Sequence, residues 1–169
     1  MQLTHYNSEF EVRTFPITLV CDGVTNAPNI GSLFRIADAF GIEKIIFCGG
    51  HISMDRKMKK TSRATEKVVN YEIQEDIISV LEGLKNSNHE IMSLEITSDS
   101  KSLNDIEFNT NKPIVLVVGD ENFGVSNEVL KMSNEVFHIN MFGKNSSMNV
   151  VQATNIALYE MTKRTSLVV

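Results

Sequence analysis

Ile114-Val115-Leu116-Val117-Val118-Gly119-Asp120-Glu121-Asn122-Phe123-Gly124 is the stretch on which the fold turns. Five consecutive aliphatic residues with no polar alternation suit a strand buried on both faces. Such strands belong to parallel sheets with helices packed on either side. The run stops at a glycine, and two acids and a second glycine follow at once. Ligands in open α/β sheets sit outside the carboxyl ends of the strands, so the chemistry is expected where this run stops.

Towards the N-terminus, Ile17-Thr18-Leu19-Val20-Cys21 reads as a strand opened by Pro16 and closed by Asp22-Gly23. Asn29 is placed to cap a helix with Leu33, Ile36, Ala37 and Phe40 near one face, ended by Gly41. Residues 44–48 form a second strand stopped by Gly49-Gly50, and a basic segment follows as a loop with room for a helical turn. Ile77, Val80, Leu81 and Leu84 fall at helical spacing behind an acidic start at Glu75, and residues 90–97 read as a strand.

Beyond the central run, Ser126 is placed to cap a short helix through Met132, and residues 136–139 read as a short strand. The last helix is expected over about residues 149–163, with Val150, Ala153, Thr154, Ala157, Leu158 and Met161 on its apolar face. Alternating strands and helices predict an α/β fold with a mostly parallel sheet flanked by helices. A doubly wound open sheet is the default expectation, since strand order does not follow from periodicity. With neither an internal repeat nor a linker, the 169 residues are read as one domain, residues 1–15 being a short polar arm.

Bulk properties narrow the functional classes. The sequence shows no membrane span and no basic-apolar signal peptide, so a cytoplasmic protein is expected. Cys21 and Cys48 each end a β-rich run and make no CxxC pair, which predicts buried thiols rather than a disulfide or a metal site. His5, His51, His89 and His138 have no ligand spacing, so no metal is expected. The net charge of -5 argues mildly against nucleic acid, but Arg56, Lys57, Lys59, Lys60 and Arg63 crowd five cations into eight residues. A solvated charge run is the bland alternative for that cluster.

Three segments that follow strands are rich in Gly, Asn and Ser. In the first, Asn29 and Gly31 permit a close backbone turn, and Arg35 offers a planar fork of donors suited to phosphate. A capped helix with a surface charge explains the same residues about equally well. The second, Gly119 to Gly124, is neither a Walker A loop nor GxGxxG, which disfavours a small nucleotide-binding domain. The third, Ile139-Asn140-Met141-Phe142-Gly143-Lys144-Asn145-Ser146-Ser147-Met148-Asn149, mixes small polar groups with methionines. That mixture suits a pocket for a flat, partly apolar ligand, although Ser147 or Asn149 also serves as an ordinary helix cap.

Together the three segments resemble the three motifs of the SpoU/TrmH family of RNA 2'-O-ribose methyltransferases, of the SPOUT class. The first is Asn29-Ile30-Gly31-Ser32-Leu33-Phe34-Arg35, matching Asn-x-Gly-x-x-x-Arg. The second is Gly119-Asp120-Glu121-Asn122-Phe123-Gly124, matching Gly-x-Glu-x-x-Gly behind an apolar strand. The third spans residues 139–151, where Asn140, Met148 and Val151 replace the usual proline, leucine and serine. The basic run also resembles a Lys/Arg-x-x-Lys-Thr-Ser stretch of the family. The likeness extends over about residues 17–161.

The resemblance implies a deep C-terminal trefoil knot, a homodimer and S-adenosylmethionine as methyl donor. By resemblance, Arg35, Asn29, Glu121, Ser147 and Asn149 form the catalytic set. Ile96, Thr97, Gly119, Ile139, Met141, Ser147 and Met148 bind the cofactor. Arg35, Arg56, Lys57, Lys59, Lys60 and Arg63 meet the RNA. Arginine as general base sits uneasily with a guanidinium that keeps its proton, so Arg35 is read as a stabiliser of developing negative charge. The sequence shows no separate N-terminal RNA-binding domain, so tRNA read by the core is the expected substrate. Ribosomal RNA, a base-nitrogen methyltransferase of another knotted family and a silent knotted RNA-binding module are the alternatives.

Overall fold

The computed structural model describes residues 10–108 and 111–166. The expected N-terminal arm falls largely outside the described residues. Seven strands form one sheet: β1 (Phe15–Asp22), β2 (Ile42–Cys48), β3 (Tyr71–Gln74), β4 (Glu90–Leu94), β5 (Lys101–Ser102), β6 (Ile114–Gly119) and β7 (Glu135–His138). Their spatial order is β3-β2-β1-β6-β4-β7-β5, and every pairing is parallel. The α-helices among the described residues are α1 (Ala27–Ala39), α2 (Arg56–Ser62), α3 (Ile77–Asn86), α4 (Asn127–Met132) and α5 (Val150–Ser166).

The sheet is parallel because its central strands are apolar on both sides. Successive side chains of a strand point to opposite faces. Ile114, Leu116 and Val118 of β6 join Ile17, Leu19 and Cys21 of β1 on one face. There they pack against Ile30, Leu33, Phe34 and Ala37 of α1 and Ala157, Leu158 and Met161 of α5. Val115 and Val117 point the other way and join Val20, Ile46, Leu81 and Val129 beneath α3 and α4. The run chosen from the sequence is thus the middle strand, bonded to β1 on one edge and β4 on the other.

Several local readings change. The basic segment is a helix, α2, whose N-cap Asp55 accepts the backbone N–H groups of Lys57 (2.8 Å) and Met58 (3.0 Å). β4 ends at Leu94, and residues 95–97 form loop instead of continuing the strand. β3 and β5 went unread because they are short, and β5 at one outer edge has only two residues. Ser126 does stand at the N-cap of α4, but its side chain makes no capping hydrogen bond.

Cys21 and Cys48 are buried free thiols, and the pleat explains why they stay unpaired: they belong to clusters on opposite faces of the sheet. Burial raises the Cys48 thiol to about 12, with the Asp22 and Asp76 carboxylates adding to the effect. Burial, then Cys48 and Asp22, pushes Cys21 up as well. A thiol that stays protonated when folded but ionises near its ordinary value when unfolded makes the unfolded state the better proton donor at high pH. Stability is therefore full below about pH 9 and declines as pH rises from there towards 12. Urea midpoints measured across that range should fall progressively. Neither thiol should react with a maleimide at pH 8 until the protein unfolds, and free-thiol labelling rates in the native protein would contradict this account.

Candidate active site at the carboxyl end of the sheet

The first motif is built differently from its expected form. Asn26, not Asn29, caps α1: its Oδ1 accepts the backbone N–H of Asn29 at 3.2 Å, and Pro28 occupies the first turn. Proline there loses nothing, since its missing N–H would have no intrahelical partner. Asn29 therefore sits within the first turn with its side-chain oxygen free of any capping role.

Gly31 lies in the helix rather than in a turn, and close approach is its reason. A Cβ at this position would stand 2.4 Å from the Met58 carbonyl oxygen and 2.9 Å from the Ser62 nitrogen. The missing side chain lets α2 lie directly on α1, with Met58 and Ser62 buried in the contact. Arg56, Lys57, Lys59, Lys60 and Arg63 are all exposed on α2 or at its C-cap, and Arg63 holds φ of 53° in the left-handed region. The first motif and the basic segment are thus one packed unit.

The carboxyl ends of β4, β6 and β7 enclose a cleft of about 490 Å³. All seven residues expected to bind cofactor line it: Ile96, Thr97, Gly119, Ile139, Met141, Ser147 and Met148. The β6 wall depends on Gly119, where a Cβ would stand 2.1 Å from the carbonyl carbon of Gly124. The chain turns back so tightly that Asp120 and Gly124 form an antiparallel bridge, and Asp120 Oδ1 accepts the N–H groups of Asn122 (2.8 Å) and Phe123 (3.3 Å).

Two carboxylates that sequence reasoning missed hold this turn from outside. Glu95, just past β4, accepts the N–H of Val125 through Oε2 at 2.9 Å and that of Ile96 through Oε1 at 2.8 Å. Asp22, at the end of β1, accepts the N–H of Ser126 at 2.9 Å. Glu95 lies outside all three motifs, and on its own it reads as one more polar residue near the end of a strand.

Three motif residues meet at the rim. Asn149 Nδ2 donates to Asn29 Oδ1 at 3.4 Å and also to Glu121 Oε1. Its Oδ1 meanwhile accepts the N–H groups of Val151 (3.0 Å) and Gln152 (3.4 Å), so Asn149 caps α5 and ties it to α1 and the β6 turn. Glu121 also lines the cleft, which joins the cluster to the pocket. Ser147 lies apart from this cluster in bonding terms: its N and Oγ both donate to Asn145 Oδ1, at 3.3 and 3.4 Å. Arg35 is exposed on α1 and does not line the cleft, and its side chain makes no hydrogen bond or ion pair with another described residue. Among the described residues no group of three or more His, Cys, Asp or Glu side chains could hold a metal ion, and no helix is long and apolar enough to cross a membrane.

An all-parallel α/β sheet whose carboxyl-end loops close one partly apolar cleft, with an amide-carboxylate cluster at its rim, defines a ligand-binding α/β domain of the kind that works beside a bound organic molecule. The chain belongs to the SpoU rRNA Methylase family, whose model matches residues 16–159. The tRNA (guanosine(18)-2'-O)-methyltransferase of Aquifex aeolicus is 26% identical over 163 residues, covering 96% of this chain and 76% of that protein. The 23S rRNA (guanosine-2'-O-)-methyltransferase RlmB of Blochmanniella floridana is 30% identical over 152 residues, which are 88% of this chain but only 58% of that protein. The solved A. aeolicus TrmH/SpoU tRNA modifying enzyme matches with a TM-score of 0.83 at 27% identity, over 93% of this chain and 79% of that one. The SpoU methyltransferase AviRb from Streptomyces viridochromogenes, solved with the cofactor AdoMet, shares the fold at a TM-score of 0.78 and 24% identity, over 89% of this chain and 60% of that one.

The close seat of α2 on α1 is testable. Gly31→Ala forces backbone apart where no flexible side-chain end can yield, and should cost about 1–3 kcal/mol by chemical denaturation. Ser32→Ala, one residue further along the same helix, should cost less than about 0.5 kcal/mol. Equal effects at the two positions would show that the contact at Gly31 is not the constraint.

Proposed function

We propose that the chain methylates a ribose 2'-hydroxyl of a structured RNA, with S-adenosylmethionine as donor. The observation that carries this reading is the meeting of Asn29, Glu121 and Asn149 at the rim of a cleft lined by Ile96, Thr97, Gly119, Ile139, Met141, Ser147 and Met148. The cleft fits the donor on its own terms. Its volume lies within the range of small-ligand sites, roughly 300–1,000 Å³. Met141, Met148, Ile96 and Ile139 offer apolar surface for a flat base, and the crowding at Gly119 brings bare backbone to the wall.

S-adenosylmethionine supplies an electrophilic methyl group on a sulfonium. The chain's part is to hold an RNA hydroxyl in line with that group and to stabilise charge on the oxygen as its proton leaves. Asn149 is oriented by its capping bonds to α5, so its amide N–H groups have a fixed direction towards Asn29 and Glu121. Arg35, unpaired among the described residues, is available to an RNA phosphate and to the developing alkoxide. Ser147 belongs to the cofactor wall in this reading, held by Asn145.

The RNA is read as tRNA, in keeping with the A. aeolicus relative, of which this chain covers 76%. Ribosomal RNA is the second reading, favoured by the RlmB relative. We further propose a single-domain, cytoplasmic homodimer carrying a trefoil knot. The late strands β6 and β7 enter the sheet between earlier strands, and α5 packs back on β4 and β6 after lining the cleft, which suits a threaded C-terminal part. Mapping 2'-O-methyl sites in RNA from cells with and without the gene identifies the substrate; identical maps would overturn the proposed activity.

Two further outcomes are expected. Arg35→Ala should lower turnover by about 10²–10³-fold, and Arg35→Lys should recover most of it if charge stabilisation is the role. Unchanged turnover in Arg35→Ala would remove this residue from the mechanism. Neutralising Lys57, Lys59 and Lys60 together should flatten the slope of log K against log salt for RNA binding by about 2–3, since each lost phosphate contact is worth about 0.7–0.9. An unchanged slope would make α2 a solvated surface.

A further inference from the structure

We infer that Glu95 and Asp22 are positioning residues that together set the affinity of the cleft for its cofactor by clamping the turn after β6 from both neighbouring strands. The inference rests on reading the cleft as the S-adenosylmethionine site. β6 lies between β1 and β4; Asp22 at the end of β1 and Glu95 just past the end of β4 both reach across to it. Asp22 takes the N–H of Ser126 and Glu95 the N–H of the residue before it, Val125. Two adjacent peptide N–H groups are thus held by side chains arriving from opposite sides. The clamp closes where the turn is tightest. Gly124 has φ of +65°, and a Cβ there would stand 2.3 Å from Glu95 Oε2, so the glycine is what admits the carboxylate.

Glu95 needs both its oxygens. One holds Val125 of the β6 wall and the other holds Ile96, a cleft residue of the β4 wall, so one side chain spaces two walls of the same pocket. An amide cannot do this, because in either orientation Gln places an NH₂ donor against a backbone N–H donor. Asp22 differs, since the structure gives only one of its oxygens a backbone partner. An asparagine there can turn its single carbonyl oxygen towards Ser126 and keep the bond. The same chemical change, carboxylate to amide, is therefore expected to have opposite consequences at the two ends of the clamp.

Calorimetry with S-adenosylmethionine on the full chain, paired with amide hydrogen exchange, tests this. Wild type is measured first: if it does not bind, the reading of the cleft falls, and this inference with it. Given binding, Glu95→Gln should weaken affinity about tenfold or more, the loss expected when a charged acceptor is replaced by a clashing donor. In turnover assays the KM for the donor should rise in step, while kcat at saturation and the KM for RNA stay within about twofold. The Val125 amide should lose protection while central amides such as Val117 keep theirs. Asp22→Ala should weaken binding, and Asp22→Asn should recover most of the loss. If Glu95→Gln binds within threefold of wild type, or Asp22→Asn is as weak as Asp22→Ala, the clamp is overturned while the cofactor reading stands. Should Glu95→Gln fail to fold, the Asp22 pair decides alone.

Discussion

The structure depends on the placement of β6, which is hydrogen-bonded along both edges and covered on both faces. Its side chains from Ile114 to Val118 are all apolar and buried, so they carry no chemistry. The consequence is felt one residue later. At Gly119 the chain leaves a fully enclosed position and must at once find partners for its peptide groups. It finds them in its own Asp120, in Glu95 and in Asp22. A rigid, self-satisfied turn at the centre of the sheet gives the neighbouring loops something fixed to gather around. The cleft and the Asn149 cluster are built on that turn.

Much of this was legible because burial leaves strong marks on sequence. An apolar run without alternation defined β6, and glycines marked the ends of β1, β2 and β6. The motif residues Asn29, Glu121 and Asn149 were legible only as a set, since each alone is an ordinary cap or surface group. Hydrogen bonding across 120 and 28 positions of chain brings them together. The parts that stayed hidden have weak local signals. β3 and β5 are short, and Tyr71 and Ile73 are substantially exposed, so neither strand needed a hydrophobic period. α2 has one buried residue in its first turn and a half, Met58, and its cations mask the helix. Its stability comes from docking on α1 through Gly31, which a sequence reading assigns to a turn instead.

Glu95 shows a different kind of invisibility. A half-buried acid beside a strand end has no pattern, and its importance comes from holding Val125, thirty residues away, together with its own neighbour Ile96. Arg35 is the reverse case: it is conspicuous in sequence, and its side chain makes no hydrogen bond or ion pair with another described residue. A residue meant for a partner molecule leaves its mark on the pattern of types, while a residue that shapes the protein leaves its mark on the hydrogen bonds.

The order of strands in space also bears on how the chain assembles. β1 and β4 flank β6, yet both precede it in synthesis. Until residues 114–119 emerge, each of these apolar strands has an unsatisfied edge and the two halves of the sheet have no common ladder. The decisive contacts span nearly a hundred residues of chain, the arrangement that makes parallel topologies slow to fold and exposes sticky edges meanwhile. A nascent chain stalled before β6 is therefore a candidate for chaperone capture, and its last third acts less as an appendage than as the keystone that closes the sheet.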